Sequence, residues 1–198
     1  MAYADFTLSR LVKQFSLTLV EDLDLYYDVP SVPVRPEFQA ALTDTMSLAV
    51  LVSTEKARSE FLIAPLLTEL WRLADRRIGI HSGVEFTVEP ENGLAGVCDF
   101  IITQSPEQLF VTAPILMVVE AKNEEMKRGY AQCVAEMLAA QRFNDRENTT
   151  LPKTYGAVTI GSTWKFFELD GATVRIDLAE YGIKDIGKIL GILLHMAR

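Results

Sequence analysis

The chain has 198 residues, of which 49% are hydrophobic and 23% are charged, a composition typical of a soluble globular protein. A chain of this length usually forms one domain and buries roughly 70% of the surface that its unfolded form exposes. No apolar stretch approaches the length of about 18 residues that a transmembrane helix needs, so no membrane-spanning helix is expected. The formal net charge of −8 argues against tight, nonspecific binding of duplex DNA by the chain alone.

The N-terminus and the cysteines indicate a compartment. The first residues lack a basic region followed by an apolar block, so no secretory signal is predicted. Cys98 and Cys133 lie in apolar surroundings and have no neighbours at metal-finger spacing, which indicates small core residues under reducing conditions. We therefore predict a cytoplasmic protein.

The first part of the chain has mixed patterns. Phe6 to Phe15 has a short helical pattern, and residues 16–20 alternate between polar and apolar as a strand does. Pro30, Pro33 and Pro36 then predict an extended, turn-rich connection. We interpret residues 1–50 as an N-terminal elaboration within a single domain of residues 1–198.

The later patterns are clearer. A helix is predicted over residues 54–75, capped by Thr54 and kinked at Pro65. A second helix is predicted after the N-cap residue Asn123, over residues 124–143. Strands are predicted over residues 78–88, 94–103, 114–121, 155–160, 165–169 and 173–177, with hairpin turns at Asn92-Gly93 and Asp170-Gly171 and a terminal helix over residues 183–196. This order predicts an α/β fold in which helices flank a mixed central sheet.

The strand over residues 114–121 ends in charged side chains. Glu120 and Lys122 follow the apolar run Ile115–Val119 and point to the same face, because side chains alternate along a strand. Asp99 lies in the preceding strand, and successive strands usually pair. Charge at the end of a core strand is costly unless something there needs it.

A divalent metal ion and a water molecule would need charged side chains at the end of this strand. Mg²⁺ prefers hard oxygen ligands, neutralises charge on a phosphate and makes water nucleophilic at neutral pH. Asp99 and Glu120 could supply two oxygens, and the backbone carbonyl of Ala121 could supply a third. Lys122 could hold the attacking water or stabilise the charge that develops on the phosphate. These residues predict a phosphodiesterase that uses Mg²⁺ or Mn²⁺.

Asp99 followed by Glu120-Ala121-Lys122 resembles the motif of the PD-(D/E)XK, or restriction-endonuclease-like, nuclease superfamily. The αβββαβ order of residues 54–160 looks like the core of that superfamily, with residues 161–198 adding a β-hairpin and a C-terminal helix. Residues 93–100 and 118–122 look like a largely bacterial branch, and residues 159–169 are similar to a strand pair in some restriction subunits. Cys98 stands at the position of the motif's proline, which varies and binds no metal.

The resemblance implies a metal-dependent nuclease that acts on DNA in preference to RNA. Asp99 and Glu120 would be magnesium ligands, and Lys122 would be the catalytic lysine. Glu60, in the first core helix, matches a position where many members place a further carboxylate near the metal. Gln132, in the helix after the lysine, matches a supporting glutamine that often faces the site.

Other interpretations stay open. Arg128, Gln132 and Glu136 recur at i, i+4 and i+8 and form a polar stripe that faces either the site or solvent. Glu60 is equally an ordinary solvated helix residue, and the glutamate and lysine of the motif could form a simple strand-end ion pair. The chain could also be a nuclease-fold binding or assembly module without turnover, which its acidic balance favours. A two-carboxylate hydrolase of another class would need carboxylates about 5–9 Å apart with no metal between them.

The local charge balance limits the predicted partners. Five basic and four acidic residues lie between Lys122 and Arg146, which permits a phosphate-facing surface but does not predict one. A homodimer or a partner protein could supply the basic surface that this chain lacks.

Overall fold

The computed structural model describes residues 1–22, 24–149 and 151–198. Its α-helices are α1 (Leu8–Phe15), α2 (Pro36–Val52), α3 (Glu55–Arg58), α4 (Ala64–Leu73), α5 (Lys127–Arg146) and α6 (Ile186–Met196). Its strands are β1 (Thr18–Asp22), β2 (Gly79–Glu85), β3 (Val97–Thr103), β4 (Ile115–Ala121), β5 (Thr154–Thr159), β6 (Thr163–Asp170), β7 (Thr173–Asp177) and β8 (Tyr181–Gly182). Among the described residues, no helix is both long and apolar enough to cross a lipid bilayer.

Within the described residues, the strands form a mixed sheet in the order β1-β7-β6-β5-β4-β3-β2, with β8 beside β6. β4 pairs in parallel with β5, and β1 pairs in parallel with β7. The other neighbouring strands are antiparallel. The prediction of an α/β fold with a mixed central sheet flanked by helices is confirmed.

Helices cover both faces of the sheet. α5 packs on β4 and β5 with α1 beside it, and the buried side chains of this face include Val118 and Val134. α2, α4 and α6 contribute to the core of the opposite face, which includes Met117 and Leu67. β4 is buried along its whole length as a result. The predicted site lies at the last residues of β4, where the strand leaves this core at the end of the sheet.

Residues 1–50 contribute to both the sheet and the helical layers. The predicted helix and strand of this region are present as α1 and β1, and β1 pairs with β7 at one edge of the sheet. Pro36 begins α2, a helix that the sequence pattern did not predict, and proline is well suited to the first helical position. The buried residues of α2 are Leu42 and Ala49, while its last apolar residues are exposed. The helix therefore lacks the regular apolar spacing that would have revealed it.

The helix predicted to begin after Thr54 is present, with a π-helical segment between α3 and α4. The side-chain oxygen of Thr54 accepts a hydrogen bond from the N–H of Ala57 at 3.1 Å, which is the expected N-cap. Pro65 has no N–H to donate to the carbonyl of Phe61, four residues earlier. The hydroxyl of Thr45 donates to that carbonyl instead, at 3.0 Å. The π segment, Ser59–Ile63, lies just before Pro65, and the kink predicted at Pro65 stays a prediction.

The two predicted hairpin turns join antiparallel strands. Asp170 pairs with Thr173 across the turn between β6 and β7, and Gly171 has a φ of 56°, which favours glycine. Gly93 has a φ of 84° and ends a longer turn between β2 and β3. The turn between β2 and β3 is longer than the two-residue turn that Asn92-Gly93 predicted, because it contains a short 3₁₀ segment.

Candidate functional site

β3 and β4 separate at the ends that carry the predicted site. The antiparallel ladder between the two strands ends at the pair of Phe100 and Val119. Beyond this pair, the N–H of Ala121 donates to Oδ2 of Asp99 at 2.8 Å. A side-chain carboxylate thus takes the place of a backbone acceptor and fixes Asp99 against the end of β4.

Ala121 also directs its carbonyl oxygen toward the β3 side of the strand. The N–H and C=O groups of one strand residue point to the same edge, because a hydrogen-bonded residue exchanges both with the same neighbour. Lys122, the next residue, donates its N–H in the opposite direction, to the carbonyl of Thr159 at 2.8 Å. The carbonyl of Ala121 therefore lies on the same side of β4 as Asp99.

Glu120 and Lys122 contact each other, as their spacing predicts. Glu120 is 1% exposed, and its Oε1 accepts a hydrogen bond from Nζ of Lys122. The second carboxylate oxygen of Glu120, Oε2, is buried and accepts no hydrogen bond from an N–H or ammonium donor. The carboxyl group of Glu136 lies within hydrogen-bonding reach of Glu120, so these two buried acids can share a proton. The Lys122 side chain is 18% exposed, so its ammonium lies between a buried carboxylate and the surface.

The surroundings of this pair disfavour the ionised form of Glu120. Burial raises the pKa of Glu120, and the charge of Asp99 raises it further; attraction to Lys122 offsets this only in part, so the pKa is about 8. Burial lowers the pKa of Lys122, but the charge of Glu120, the hydrogen bond to it and the charges of Glu55 and Asp99 together outweigh burial, so the pKa is raised. The site is therefore short of positive charge, and a further cation would stabilise ionised Glu120.

Helix α5 contributes two further polar side chains to the site. Oε1 of Gln132 lies 3.3 Å from Nζ of Lys122, and Nε2 of Gln132 lies 3.1 Å from Oε1 of Glu136. Glu136 is completely buried, and its Oε2 accepts no hydrogen bond from an N–H or ammonium donor. Burial raises the pKa of Glu136 well above its ordinary value, and the charge of Glu120 raises it further. Gln132 and Glu136 therefore extend the polar site into the core.

The polar stripe of α5 is divided between the site and solvent. Arg128 pairs with Glu125 at 2.8 Å on the surface, whereas Gln132 and Glu136 face β4. Sequence reasoning placed Glu136 in the stripe but gave it no role in the site. The available signal was its position within an otherwise apolar run of the helix, residues 133–140.

Gly129 makes room for Lys122. A Cβ at position 129 would lie 3.1 Å from Cγ of Lys122 and 2.8 Å from a methyl carbon of Val158. Both contacts are tighter than normal packing allows, so the missing side chain leaves the space that the lysine stem occupies. The role of Gly129 could not be recognised in the sequence, because a single helical glycine does not indicate which neighbour approaches it.

A cleft of about 270 Å³ opens beside Asp99. It is lined by Glu55, Lys56, Ser59, Glu60, Ser82, Gly83, Asp99 and Ala121. The carboxylate of Glu60 pairs with Lys56 at 2.9 Å and is 52% exposed. The structure thus brings Glu60 to the same cleft as Asp99, as one half of an exposed ion pair.

Asn123 does not cap α5, contrary to the prediction. The helix begins at Lys127, and its N-terminus has no side-chain cap. Oδ1 of Asn123 instead accepts a hydrogen bond from Nε of Arg58 at 3.2 Å, and Arg58 also donates to the carbonyl of Ile160 at 3.1 Å. This tertiary contact replaces the local cap and ties α3 to the segment that follows β4.

The chemistry of the donors suits a hard divalent cation. Asp99, Glu120 and the carbonyl of Ala121 offer oxygen ligands at the adjacent ends of β3 and β4, and Oε2 of Glu120 accepts from no N–H or ammonium donor. Mg²⁺ takes such ligands and completes its octahedral shell with water. Across the described residues, no group of three or more His, Cys, Asp or Glu side chains is arranged to hold a metal ion. A cation here would therefore depend on two acidic side chains, one carbonyl and water.

Comparison with protein-family models, with curated proteins and with solved structures found no match. These comparisons assign the chain to no family. The function is therefore inferred from the geometry and chemistry of the site.

Proposed function

We propose that this chain is a magnesium-dependent nuclease with a restriction-endonuclease-like fold, which hydrolyses phosphodiester bonds in DNA in preference to RNA. The observation that carries the proposal is the cluster of buried acids at the end of a core strand: Glu120, whose second oxygen accepts from no N–H or ammonium donor, lies beside Asp99 and contacts Glu136, with Lys122 as its cation. Buried carboxyl groups that are short of positive charge are costly, and a divalent cation bound there would supply that charge.

The succession of elements supports the same proposal. The helical stretch from α3 to α4 precedes the antiparallel strands β2, β3 and β4, and α5 then leads to β5, which is parallel to β4. This succession is an argument in favour of the αβββαβ core that we propose for residues 54–160. The motif residues also lie at the adjacent ends of β3 and β4, where one metal could contact both strands.

Each residue of the site would have a separate role. Asp99 and Glu120 would bind Mg²⁺ through their side chains, and Ala121 would bind it through its carbonyl. Bound Mg²⁺ supplies charge neutralisation at the phosphate and makes water a better nucleophile. Lys122 would donate a hydrogen bond that orients the attacking water and would stabilise the charge developing on the phosphate. Glu60 could reach the metal only if its ion pair with Lys56 opened.

The catalytic role of the lysine can be tested by Lys122→Met, which keeps a stem of similar length and removes the ammonium. We expect cleavage of single-stranded and duplex DNA with Mg²⁺ or Mn²⁺ to fall by about 10³-fold, as for removal of a group that stabilises the transition state. Lys13→Met, on the exposed face of α1, is the matched control and should cleave at the wild-type rate. Equal rates in wild type and Lys122→Met would rule out this mechanism, and RNA of the same sequence tests the preference for DNA.

The alternative function is a nuclease-fold binding or assembly module without turnover. The net charge of −8 favours it, as do the acidic side chains that line the cleft and its neighbour beside Lys122, namely Glu55, Glu60, Glu124 and Glu125. These charges repel a phosphate backbone, so DNA binding would require a partner protein or a second copy to supply basic surface.

Metal titration discriminates between the two functions. Calorimetry should detect binding of Mn²⁺ to the wild-type protein and no binding to Asp99→Ala or Glu120→Ala. Metal binding without cleavage of any nucleic acid would favour the assembly module. A wild-type protein that binds neither Mn²⁺ nor Mg²⁺ would contradict the nuclease proposal.

A further inference from the structure

The amide of Gln132 lies between a lysine and a buried carboxyl group. Its Oε1 faces Nζ of Lys122 at 3.3 Å, and its Nε2 faces Oε1 of Glu136 at 3.1 Å. Nζ of Lys122 also donates to Glu120. A continuous series of hydrogen bonds therefore connects the core of the protein to the lysine at the surface of the site.

The orientation of this amide matters because its two ends are chemically different. A glutamine amide offers an acceptor at Oε1 and donors at Nε2, whereas a lysine ammonium only donates. Lys122 can therefore be held by Gln132 in just one of the two amide orientations. Oε1 of Glu136 accepts from Nε2, which the carbonyl oxygen of a neutral carboxyl group can also do, and this contact holds the observed orientation; the opposite one would place two donors against the ammonium.

The position of Glu136 argues against a role in packing alone. It is completely buried, and its helical neighbours Ala135 and Met137 are buried as well. A carboxyl group at such a position is costly, whereas an apolar side chain would satisfy the core without cost. Position 136 therefore carries a polar group in spite of its surroundings, and this group contacts two polar side chains of the site, Gln132 and Glu120.

The stem of Lys122 is confined by the same helix. Gly129 leaves the space that the stem fills, and Gln132 receives the ammonium one helical turn later. The aliphatic stem and the ammonium group of Lys122 therefore both contact α5. The ammonium group is held between the Gln132 amide and Glu120.

We propose that Glu136 is a positioning residue for Lys122: it fixes the amide of Gln132 so that the carbonyl oxygen of that amide holds the lysine ammonium at the mouth of the site. The meaning of this arrangement for turnover depends on the nuclease function proposed above. The arrangement itself does not, so it can be measured without metal or substrate.

The experiment measures how fast a succinimidyl ester labels Lys122, relative to exposed Lys13 in the same sample, by mass spectrometry of the derived peptides. Glu136→Leu replaces the buried carboxyl group with an apolar side chain of similar size and removes the acceptor, and Gln132→Met removes the amide with little change in shape. Both variants should label Lys122 roughly threefold to tenfold faster than wild type, because the ammonium loses a charge-assisted hydrogen bond. Glu136→Gln, which keeps a carbonyl acceptor, should label close to the wild-type rate.

The double variant Glu136→Leu with Gln132→Met tests whether Glu136 acts through Gln132. Its labelling rate should equal that of Gln132→Met, because Glu136 cannot act on Lys122 through an amide that is no longer there. Multiplicative effects would overturn this path, and an unchanged rate in Gln132→Met would overturn the positioning role even if Glu136→Leu failed to fold. Faster labelling in a protein that cleaves no nucleic acid would support the positioning role and contradict only the nuclease function.

Discussion

Glu69 in α4 and Glu120 in β4 are both almost completely buried, and they differ in the positive charge that reaches them. Glu69 forms ion pairs with Arg35 and Arg72, each at 2.6 Å. Burial alone would raise the pKa of Glu69, but hydrogen bonds and attraction from the two arginines outweigh burial and lower the pKa to about 2. This carboxylate is stabilised in its charged form.

Glu120 has one cation, and its second oxygen accepts from no N–H or ammonium donor. Its pKa is raised to about 8, because burial and the charge of Asp99 outweigh attraction to Lys122. A buried acid with a full set of partners can be explained by structure alone. A buried acid with too little positive charge around it costs stability, and proteins tolerate this cost mainly at functional sites. The comparison therefore separates a structural carboxylate from a candidate ligand.

The strongest test of this comparison is the same substitution at both positions. At pH 8, Glu69→Gln should destabilise the fold by about 2 kcal/mol, a value that allows for the partial exposure of both arginines. Glu120→Gln should stabilise the fold by about 2 kcal/mol, because folding no longer has to bury or neutralise a carboxylate. Urea denaturation gives both values. A loss of stability in Glu120→Gln similar to that in Glu69→Gln would make Glu120 an ordinary structural ion pair.

The pH dependence of stability should have opposite signs at the two residues. The folded pKa of Glu69 lies below the ordinary value of 4.5, so its contribution is complete above pH 4.5 and is lost as the pH falls toward 2. The folded pKa of Glu120 lies above 4.5, so the folded state binds more protons and stability falls as the pH rises from 4.5 to 8. The slope at Glu120 can reach about 1.4 kcal/mol per pH unit.

The measurement is the stability of wild type minus that of each Glu→Gln variant across this range of pH. The difference for Glu69→Gln should change only below pH 4.5, and the difference for Glu120→Gln should change between pH 4.5 and 8. A flat difference for Glu120→Gln would contradict the raised pKa.

Added metal should act on one carboxylate only. Mn²⁺ at ten times its Kd should stabilise the wild-type protein and Glu69→Gln by about 1.4 kcal/mol, because a ligand that binds only the folded state adds its binding free energy. Glu120→Gln should show no stabilisation in the same thermal melts. Equal stabilisation of both variants would locate the metal elsewhere.

The smallest effect concerns the helix that connects the cleft to Glu69. Thr45→Val removes the donor to the carbonyl of Phe61 and should cost about 1 kcal/mol, because Pro65 cannot replace it. Both hydroxyls lie within hydrogen-bond distance of carbonyls in their own helices, those of Ala41 and Leu42 for Thr45 and that of Ala64 for Thr68. Thr68 is therefore the matched control without the contact to Phe61. Thr68→Val should change the urea midpoint little. Equal effects of the two substitutions would mean that the Thr45 bond does not stabilise the π segment.

The strand side of the site could be predicted from the sequence because its signals are local. The apolar run of β4 and the spacing of Glu120 and Lys122 determine a buried strand with two charges on one face. Asp99 follows from the pairing of successive strands. The cap at Thr54 and the glycine turns depend in the same way on neighbouring residues alone.

Apart from Gln132, which the motif resemblance implied, the helical side could not be predicted, because it depends on distant contacts. Glu136 is buried because α5 packs on β4, and Glu69 is paired because Arg35 approaches from 34 residues away. Asn123 matches the local pattern of a cap, yet Arg58 binds it. In each case the partner that decides the outcome is remote in sequence.

Asp99 has a consequence for descent as well as for chemistry. Its carboxylate receives the N–H of Ala121 where the strand ladder has ended, so the sheet itself needs an acceptor at this position. Under the proposed nuclease function, a homologue without turnover would still need an acceptor such as aspartate or asparagine at position 99, whereas the backbone of the sheet makes no demand on the side chain at position 122. Position 122, and not position 99, would then distinguish active from inactive homologues.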